Sequence, residues 1–330
     1  MSAPYPWQTD LWEGLLSRDK AGQMPHALLF AGAQGFGKAQ LAEQLAMTLL
    51  CQSPSEEGVP CGKCQACGLL AAGTHPDLRI LEPEEEGKVI PVDTVRAVGD
   101  FIALKGQYGG RQIVIINPAE AMNRFGANGL LKTLEEPTED ALLILVTSQP
   151  SLLLPTIRSR CQHVVFPRPE VSIGLNWLKD HLGSETKSAT LAPTLLDLAN
   201  GAPLEALKLF EMGGLEVRQG LAEQWLQVVE GRGDPLKCAS SWAELGLPRA
   251  VNWLNSWTMD LIRLKSGADT DVITNTDLQP QLQKLVHRLD LRRLFSHLEQ
   301  ITECSRWAGG QLNAQLALED IMINWGRQSR

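Results

Sequence analysis

Gly32-Ala33-Gln34-Gly35-Phe36-Gly37-Lys38 has the glycine spacing and closing lysine of a phosphate-binding loop, in which backbone N–H groups and one ammonium cradle phosphate oxygens. A hydrolase needs Ser or Thr at the next position to hold magnesium, and Ala39 stands there. The other half of such a site is incomplete too. The apolar run Ile113-Val114-Ile115-Ile116 ends in Asn117-Pro118, where nucleotide hydrolases place a metal-binding Asp and often a catalytic Glu. Glu120 is the nearest carboxylate, but it lies beyond Pro118 and is not assigned the missing role. Phosphate or ATP binding through Gly32, Gly35, Gly37 and Lys38 stays open, as does the plainer reading that the loop only joins a strand to a helix. Hydrolysis is not expected.

A second constellation points to a metal. Cys51, Cys61, Cys64 and Cys67 are separated by nine, two and two residues, and two-residue spacings let neighbouring thiolates converge on one tetrahedral ion. The intervening stretch 52–60 is rich in Ser, Glu, Gly and Pro and poor in apolar side chains, so a structural zinc would supply the cross-link its composition lacks. Four thiolates leave no open position for water, which argues against catalytic zinc. The alternative is four reduced, unliganded thiols. Cys161, Cys238 and Cys304 stand apart and are read as packing residues.

Thr156-Ile157-Arg158-Ser159-Arg160-Cys161 carries two arginines just before the last apolar run, Val164-Val165-Phe166. Such a pair is either a solvated surface feature or an arginine lent to a neighbouring subunit, where a planar, always-charged group stabilises a transferring γ-phosphate. Composition does not choose between these.

These residues must be positioned by a recognisable alternation. Apolar runs and helical patterns take turns: Ala27–Ala31 then Lys38–Leu50, Leu78–Leu81 then Asp93–Leu104, Ile113–Ile116 then Met122–Glu135, and finally Ala141–Val146. Strand and helix in turn predict a parallel α/β sheet. The first strand runs straight into the glycine loop and a helix, the context a phosphate-binding loop requires. After Phe166-Pro167-Arg168-Pro169 the β-like runs stop. Short helices are expected over about 170–212, with Gly183, Gly201 and Gly213-Gly214 as breakers, and longer amphipathic helices to the end. Six of the nine Trp lie in this last part, at 225, 242, 253, 257, 307 and 325; they read as a helical core or as a helix-packing interface.

At 330 residues the chain is long enough for two or three domains. A net charge of −8 excludes non-specific coating of nucleic acid, which is driven by counterion release onto Lys and Arg, so any DNA contact is local or shared. The apolar runs are far shorter than the ~20 residues of a membrane span, and no basic-then-apolar leader opens the chain; the cytoplasm is the expected address.

Taken together the chain resembles the delta-prime subunits of bacterial DNA polymerase III clamp loaders, relatives of the AAA+ motor subunits of the same loaders. The resemblance is carried by Pro6-Trp7, Pro25-His26-Ala27-Leu28-Leu29, the four-Cys insert, His75-Pro76-Asp77 and Asn117-Pro118-Ala119-Glu120-Ala121-Met122-Asn123. It continues through Asn128-Gly129-Leu130-Leu131-Lys132-Thr133-Leu134-Glu135-Glu136-Pro137 to Ser159-Arg160-Cys161. The last third matches only in helical character and length.

The resemblance implies an α/β AAA+ module with a zinc-binding insert over 1–167, a small helical lid over 168–212, and an all-α collar over 213–330 through which five loader subunits form a hetero-pentameric ring. It implies that Arg160 is the finger completing a neighbour's ATP site, with Arg158 the weaker candidate. The implied partners are the gamma/tau motor subunits, the delta subunit, the sliding clamp and, within the complex, primed DNA. The implied role is clamp loading during replication, without catalysis of its own, as a component of a DNA-directed DNA polymerase holoenzyme. Motor subunits carry a lid arginine where this chain has Leu204 in Gly201-Ala202-Pro203-Leu204-Glu205-Ala206. Lys38 departs in the other direction, since delta-prime subunits can lack it. Two rivals remain: an active ATPase motor, which Ala39, Asn117, Pro118 and Leu204 oppose, and a zinc-containing DNA-binding or regulatory protein, for which no clustered basic stretch speaks.

Overall fold

Two runs without polar alternation, Gln112–Ile116 and Ala141–Thr147, become strands buried along their whole length, as the inner strands of a parallel sheet covered on both faces must be. The computed structural model describes residues 3–85, 87–104, 106–107, 111–138, 140–183, 186–269, 272–307 and 313–327. In chain order the first part comprises α1 (Thr9–Lys20), β1 (Ala27–Ala31), α2 (Lys38–Leu50), α3 (Gln65–Ala71), β2 (Leu78–Leu81), α4 (Val92–Ala103), β3 (Gln112–Ile116), α5 (Arg124–Glu135), β4 (Ala141–Thr147), α6 (Pro155–Arg158) and β5 (Gln162–Val165). All strand pairs are parallel, in the order β2-β3-β4-β1-β5. β1, which feeds the glycine loop, lies between β4 and β5, with Leu29 opposite Leu145 and His163. This is the parallel α/β sheet that the alternation of strand and helix predicts.

The side-chain period of two divides the sheet into two cores. Leu29, Val114, Ile116, Leu143 and Leu145 face Val95, Val98 and Phe101 of α4 and Leu130 and Leu134 of α5. Leu28, Phe30, Ile113, Ile115 and Ile144 face Trp12 and Leu16 of α1 and Leu41 and Leu45 of α2. Local chemistry sets the helix starts. Asn123 Oδ1 accepts from Gly126 N at 2.8 Å and caps α5, satisfying one of the N–H groups a helix leaves open at its start.

The remaining helices are α7 (Val171–His181), α8 (Thr186–Leu198), α9 (Pro203–Glu211), α10 (Gly214–Val229), α11 (Pro235–Ala243), α12 (Leu247–Lys265), α13 (Gln279–Val286), α14 (Leu291–Trp307) and α15 (Ala314–Gly326). The chain forms two compact units, one of residues 1–177 with 202–205 and one of 178–201 with 206–330. In the second unit Trp225, Trp242, Trp253, Trp257 and Trp325 are buried in one core, with the rings of Trp225 and Trp257 5.0 Å apart and those of Trp242 and Trp257 5.2 Å apart. These five are core residues; the side chain of Trp307 lies outside those described. Beside them sits a buried polar knot. Asp260, fully buried, accepts from Arg263 Nη1 at 2.9 Å, Thr274 N at 3.2 Å, Asn275 N at 2.8 Å and Asn275 Nδ2 at 2.7 Å. Arg218, also buried, donates to Asn275 and Asp277 and places its guanidinium 5.5 Å from the Trp257 ring centre. The knot ties the loop after α12 to α10 and α12.

Candidate functional site

β1 delivers the chain to the phosphate loop, and α2 starts at Lys38 directly behind it. Gly35 and Gly37 both have φ of +79°, a region that costs side-chain-bearing residues. A Cβ on Gly35 would also lie 2.5 Å from Glu205 Cγ, and one on Gly37 2.6 Å from Tyr5 Cδ2. The loop is therefore lined closely by the start of α9 on one side and by the N-terminal turn on the other. Leu204 N donates to Gly35 O at 3.3 Å. Gln8 Nε2 donates to Phe36 O at 2.8 Å and Gly37 O at 2.9 Å, and Trp7 Nε1 to Phe36 O at 3.0 Å.

Lys38 is buried, and its ammonium donates to Ala33 O at 2.7 Å and Ser148 Oγ at 3.1 Å. Burial pulls its pKa down to about 8, against the opposing pull of Glu120 and Glu205. Burial disfavours the charged form and nearby carboxylates restore part of it. Glu120, set aside as a base, comes to the end of β4, where its Oε1 accepts from Ser148 N at 3.0 Å while Oε2 is buried without a partner among the described residues. Asn117 turns its amide to Glu82, Nδ2 to Oε1 at 3.0 Å. Gly32, Gly35, Gly37 and Lys38 thus form one loop whose cation is already held by protein oxygens. Ala39, Asn117 and Pro118 offer no carboxylate or hydroxyl to a magnesium ion there.

The cysteines converge. Cys67 Sγ lies 3.6 Å from Cys51 Sγ and 3.9 Å from Cys61 Sγ, Cys51 and Cys64 are 4.0 Å apart, and all four sulfurs fall within 4.8 Å of one another. Tetrahedral zinc at about 2.3 Å from each sulfur needs sulfur separations of roughly 3.8 Å, so the donor set fits such an ion. The backbone N–H groups of Cys67 and Gln52 draw the Cys64 thiol down to about 6, whereas burial pushes Cys67 up to about 12. The insert is tied back to the sheet module by Thr48 Oγ1 donating to Gly58 O at 2.6 Å, Trp12 Nε1 to Glu57 O at 3.0 Å and Lys20 Nζ to Glu56 O at 2.9 Å.

Arg160 ends the turn after α6, between buried Ile157 and Cys161. Its Nη1 donates to Thr156 O at 2.9 Å and its Nη2 pairs with Glu135 Oε1 at 2.6 Å, with about a third of the side chain exposed. Arg158, two residues earlier, has its Nε buried.

The family described as "DNA polymerase III, delta subunit" matches residues 7–170, and "DNA polymerase III, delta subunit, C terminal" matches 213–327. The chain is 40% identical to the DNA polymerase III subunit delta' of Pseudomonas aeruginosa, covering 98% of each chain. The chain belongs to the delta-prime subunit family of DNA polymerase III. The Escherichia coli delta-prime subunit is 32% identical over 97% of this chain and 94% of its own length. A gamma/tau subunit from Mycobacterium bovis is 35% identical over 149 residues, 44% of this chain and 25% of that protein.

For this delta-prime family member, sequence reasoning does not place Ser148 and Glu205 beside Lys38 or Gln8 on the loop, and it assigns no role to Glu120, Trp7 or Glu135, although Glu120 is weighed as a base and Trp7 and Glu135 stand within the family motifs. Ser148 carried a weak signal, since it follows an apolar run at the edge where ligands of parallel sheets bind. For the others nothing local names the partner, because a Gln, Glu or Trp that will meet a distant group looks the same in one dimension as one that stays in solvent.

Proposed function

We propose that this chain is a non-hydrolysing member of the clamp-loader ring that lends Arg160 to the ATP site of an adjacent gamma/tau motor subunit. The observation that carries this reading is the contrast between its own loop and its arginine. The loop is built, yet Ala39, Asn117 and Pro118 hold no magnesium, and Lys38 is engaged by Ala33 and Ser148. Arg160 is anchored as well, by Glu135 and Thr156, yet stays about a third exposed in the turn that leads into the edge strand β5. A guanidinium supplied from a neighbour neutralises charge that develops on the γ-phosphate oxygens. Ring closure, with the delta subunit as a further member, would let motor ATP open the sliding clamp and close it around primed DNA. The cytoplasm is the compartment this role requires, and no described helix is long and apolar enough to cross a membrane.

Matches that stop at 170 and resume at 213 support a division into a module over 1–167, a lid over 168–212 and a collar over 213–330. Cys51, Cys61, Cys64 and Cys67 would hold one structural zinc, which supplies a cross-link to an insert with little core of its own.

The test is a loader reconstituted with Arg160→Ala. DNA-stimulated ATP turnover should fall ~10-fold or more while ring assembly persists. Unchanged turnover, or brisk hydrolysis by the purified chain alone, would overturn the reading.

A further inference from the structure

Arg160 does not hang free: Glu135 and the backbone of α6 hold it. Glu135 is the last residue of α5, a helix capped by Asn123 and fastened to the sheet by buried Leu130 and Leu134. Its carboxylate meets Nη2 of Arg160 at 2.6 Å, from an element 25 residues away in sequence. The backbone of α6 supplies the second anchor, Thr156 O to Nη1 at 2.9 Å. Ile157 and Cys161, buried on either side, pin the turn from which the side chain departs.

A guanidinium is a rigid plane with five N–H donors, so two anchors at different nitrogens fix both its position and the direction of its fork. The Glu135 contact is made through a single oxygen to one nitrogen. It leaves Nε and further N–H groups for an incoming anion. As an ion pair, this contact adds little to folding, because its two side chains are 35% and 51% exposed. Its value lies in removing the rotamer freedom of a long side chain before the ligand arrives, since a charge placed in advance costs no reorganisation at the moment of reaction.

We infer that Glu135 is a positioning residue that presents the Arg160 guanidinium to a polyphosphate held by the neighbouring subunit. The inference rests on the finger reading of Arg160 given above. Glu135 touches no reacting atom and acts through Arg160 alone.

The experiment compares loaders reconstituted with Glu135→Ala, Glu135→Gln, Arg160→Ala and the double variant Glu135→Ala/Arg160→Ala, each first checked for ring assembly and circular dichroism. Glu135→Ala should lower kcat for DNA-stimulated ATP hydrolysis roughly five- to fifty-fold, the range expected when a charged group loses its aim. KM should hold, because the motor subunit binds the nucleotide. Glu135→Gln, which keeps an acceptor oxygen at the same place, should recover most of the rate. In the Arg160→Ala background the second change should cost nothing further. A normal or raised kcat in Glu135→Ala overturns the positioning role while leaving Arg160 as the finger. An equal loss with and without Arg160 also overturns it and makes Glu135 merely structural. Arg160→Ala without effect removes both readings at once.

Discussion

Removing the zinc proposed for the four-cysteine site should destabilise the sheet unit by an amount that its loop length sets. Cys51 and Cys67 bound a closed segment of seventeen residues, counted from 51 to 67 inclusive. Cross-linking a loop of about that length restricts the unfolded chain by about 3 kcal/mol in the chain-entropy treatment used for disulfides. The folded insert has three further ties to the module, through Thr48, Trp12 and Lys20, so the loss should appear as a lower midpoint and not as a detached loop. For a unit of this size each kcal/mol moves the midpoint by about 2–4 °C, which gives a fall of about 6–12 °C. The assay is thermal unfolding followed by circular dichroism, with and without a strong chelator, beside elemental analysis that should find one zinc per chain. Cys64→Ser should reproduce the chelated midpoint and no longer respond to chelator. A folded, zinc-free preparation whose midpoint ignores both chelator and added zinc would refute the reasoning.

In the helical unit, Asp260→Ala should cost about 3–5 kcal/mol in urea unfolding, because it removes a fully buried carboxylate that accepts from the backbone N–H groups of Thr274 and Asn275, the Asn275 amide and Arg263; a loss below about 1 kcal/mol would show that the knot is solvated. His297 is buried against Trp325, the rings stacked 4.2 Å apart, and burial, helped by Arg293, lowers its pKa from 6.5 to about 4 although Gln300 pulls the other way. The unfolded chain therefore binds one more proton than the folded chain between about pH 6.5 and 4, so stability falls as pH falls through that window, by at most about 3 kcal/mol, and is unaffected above it. His297→Phe should flatten the difference in midpoint between pH 7 and pH 5; an unchanged slope would sink the assignment.

How far the molecule could be read in one dimension depends on the range over which each feature is decided. The strands at Ala27–Ala31 and Leu78–Leu81 coincide with their apolar runs, and α2 with its pattern Lys38–Leu50, because short apolar runs and amphipathic helices are written in neighbouring residues. β3 begins at Gln112, one residue before its run, and two helix starts also differ by a little. α4 begins at Val92, one residue before the expected Asp93, because Pro91 stands directly before it; α5 begins at Arg124 where Met122 was expected, because Asn123 takes the cap. The cluster of Cys61, Cys64 and Cys67 was legible for the same reason, since its ligand spacing is confined to seven residues.

The sequence by itself determined the alternating architecture, the glycine loop without its metal ligands, the convergent thiols and the family. Each is written in neighbouring residues or in unbroken motifs. Only the tertiary structure decided that Ser148 and Glu120 surround Lys38, that Gln8 closes on Phe36 and Gly37, that Glu135 grips Arg160, and that Arg218 and Asp260 share one knot. Those partners lie 25 to 110 residues apart in sequence or meet through a third residue. A polar side chain has no period that betrays its partner, so packing alone brings the two within hydrogen-bonding reach.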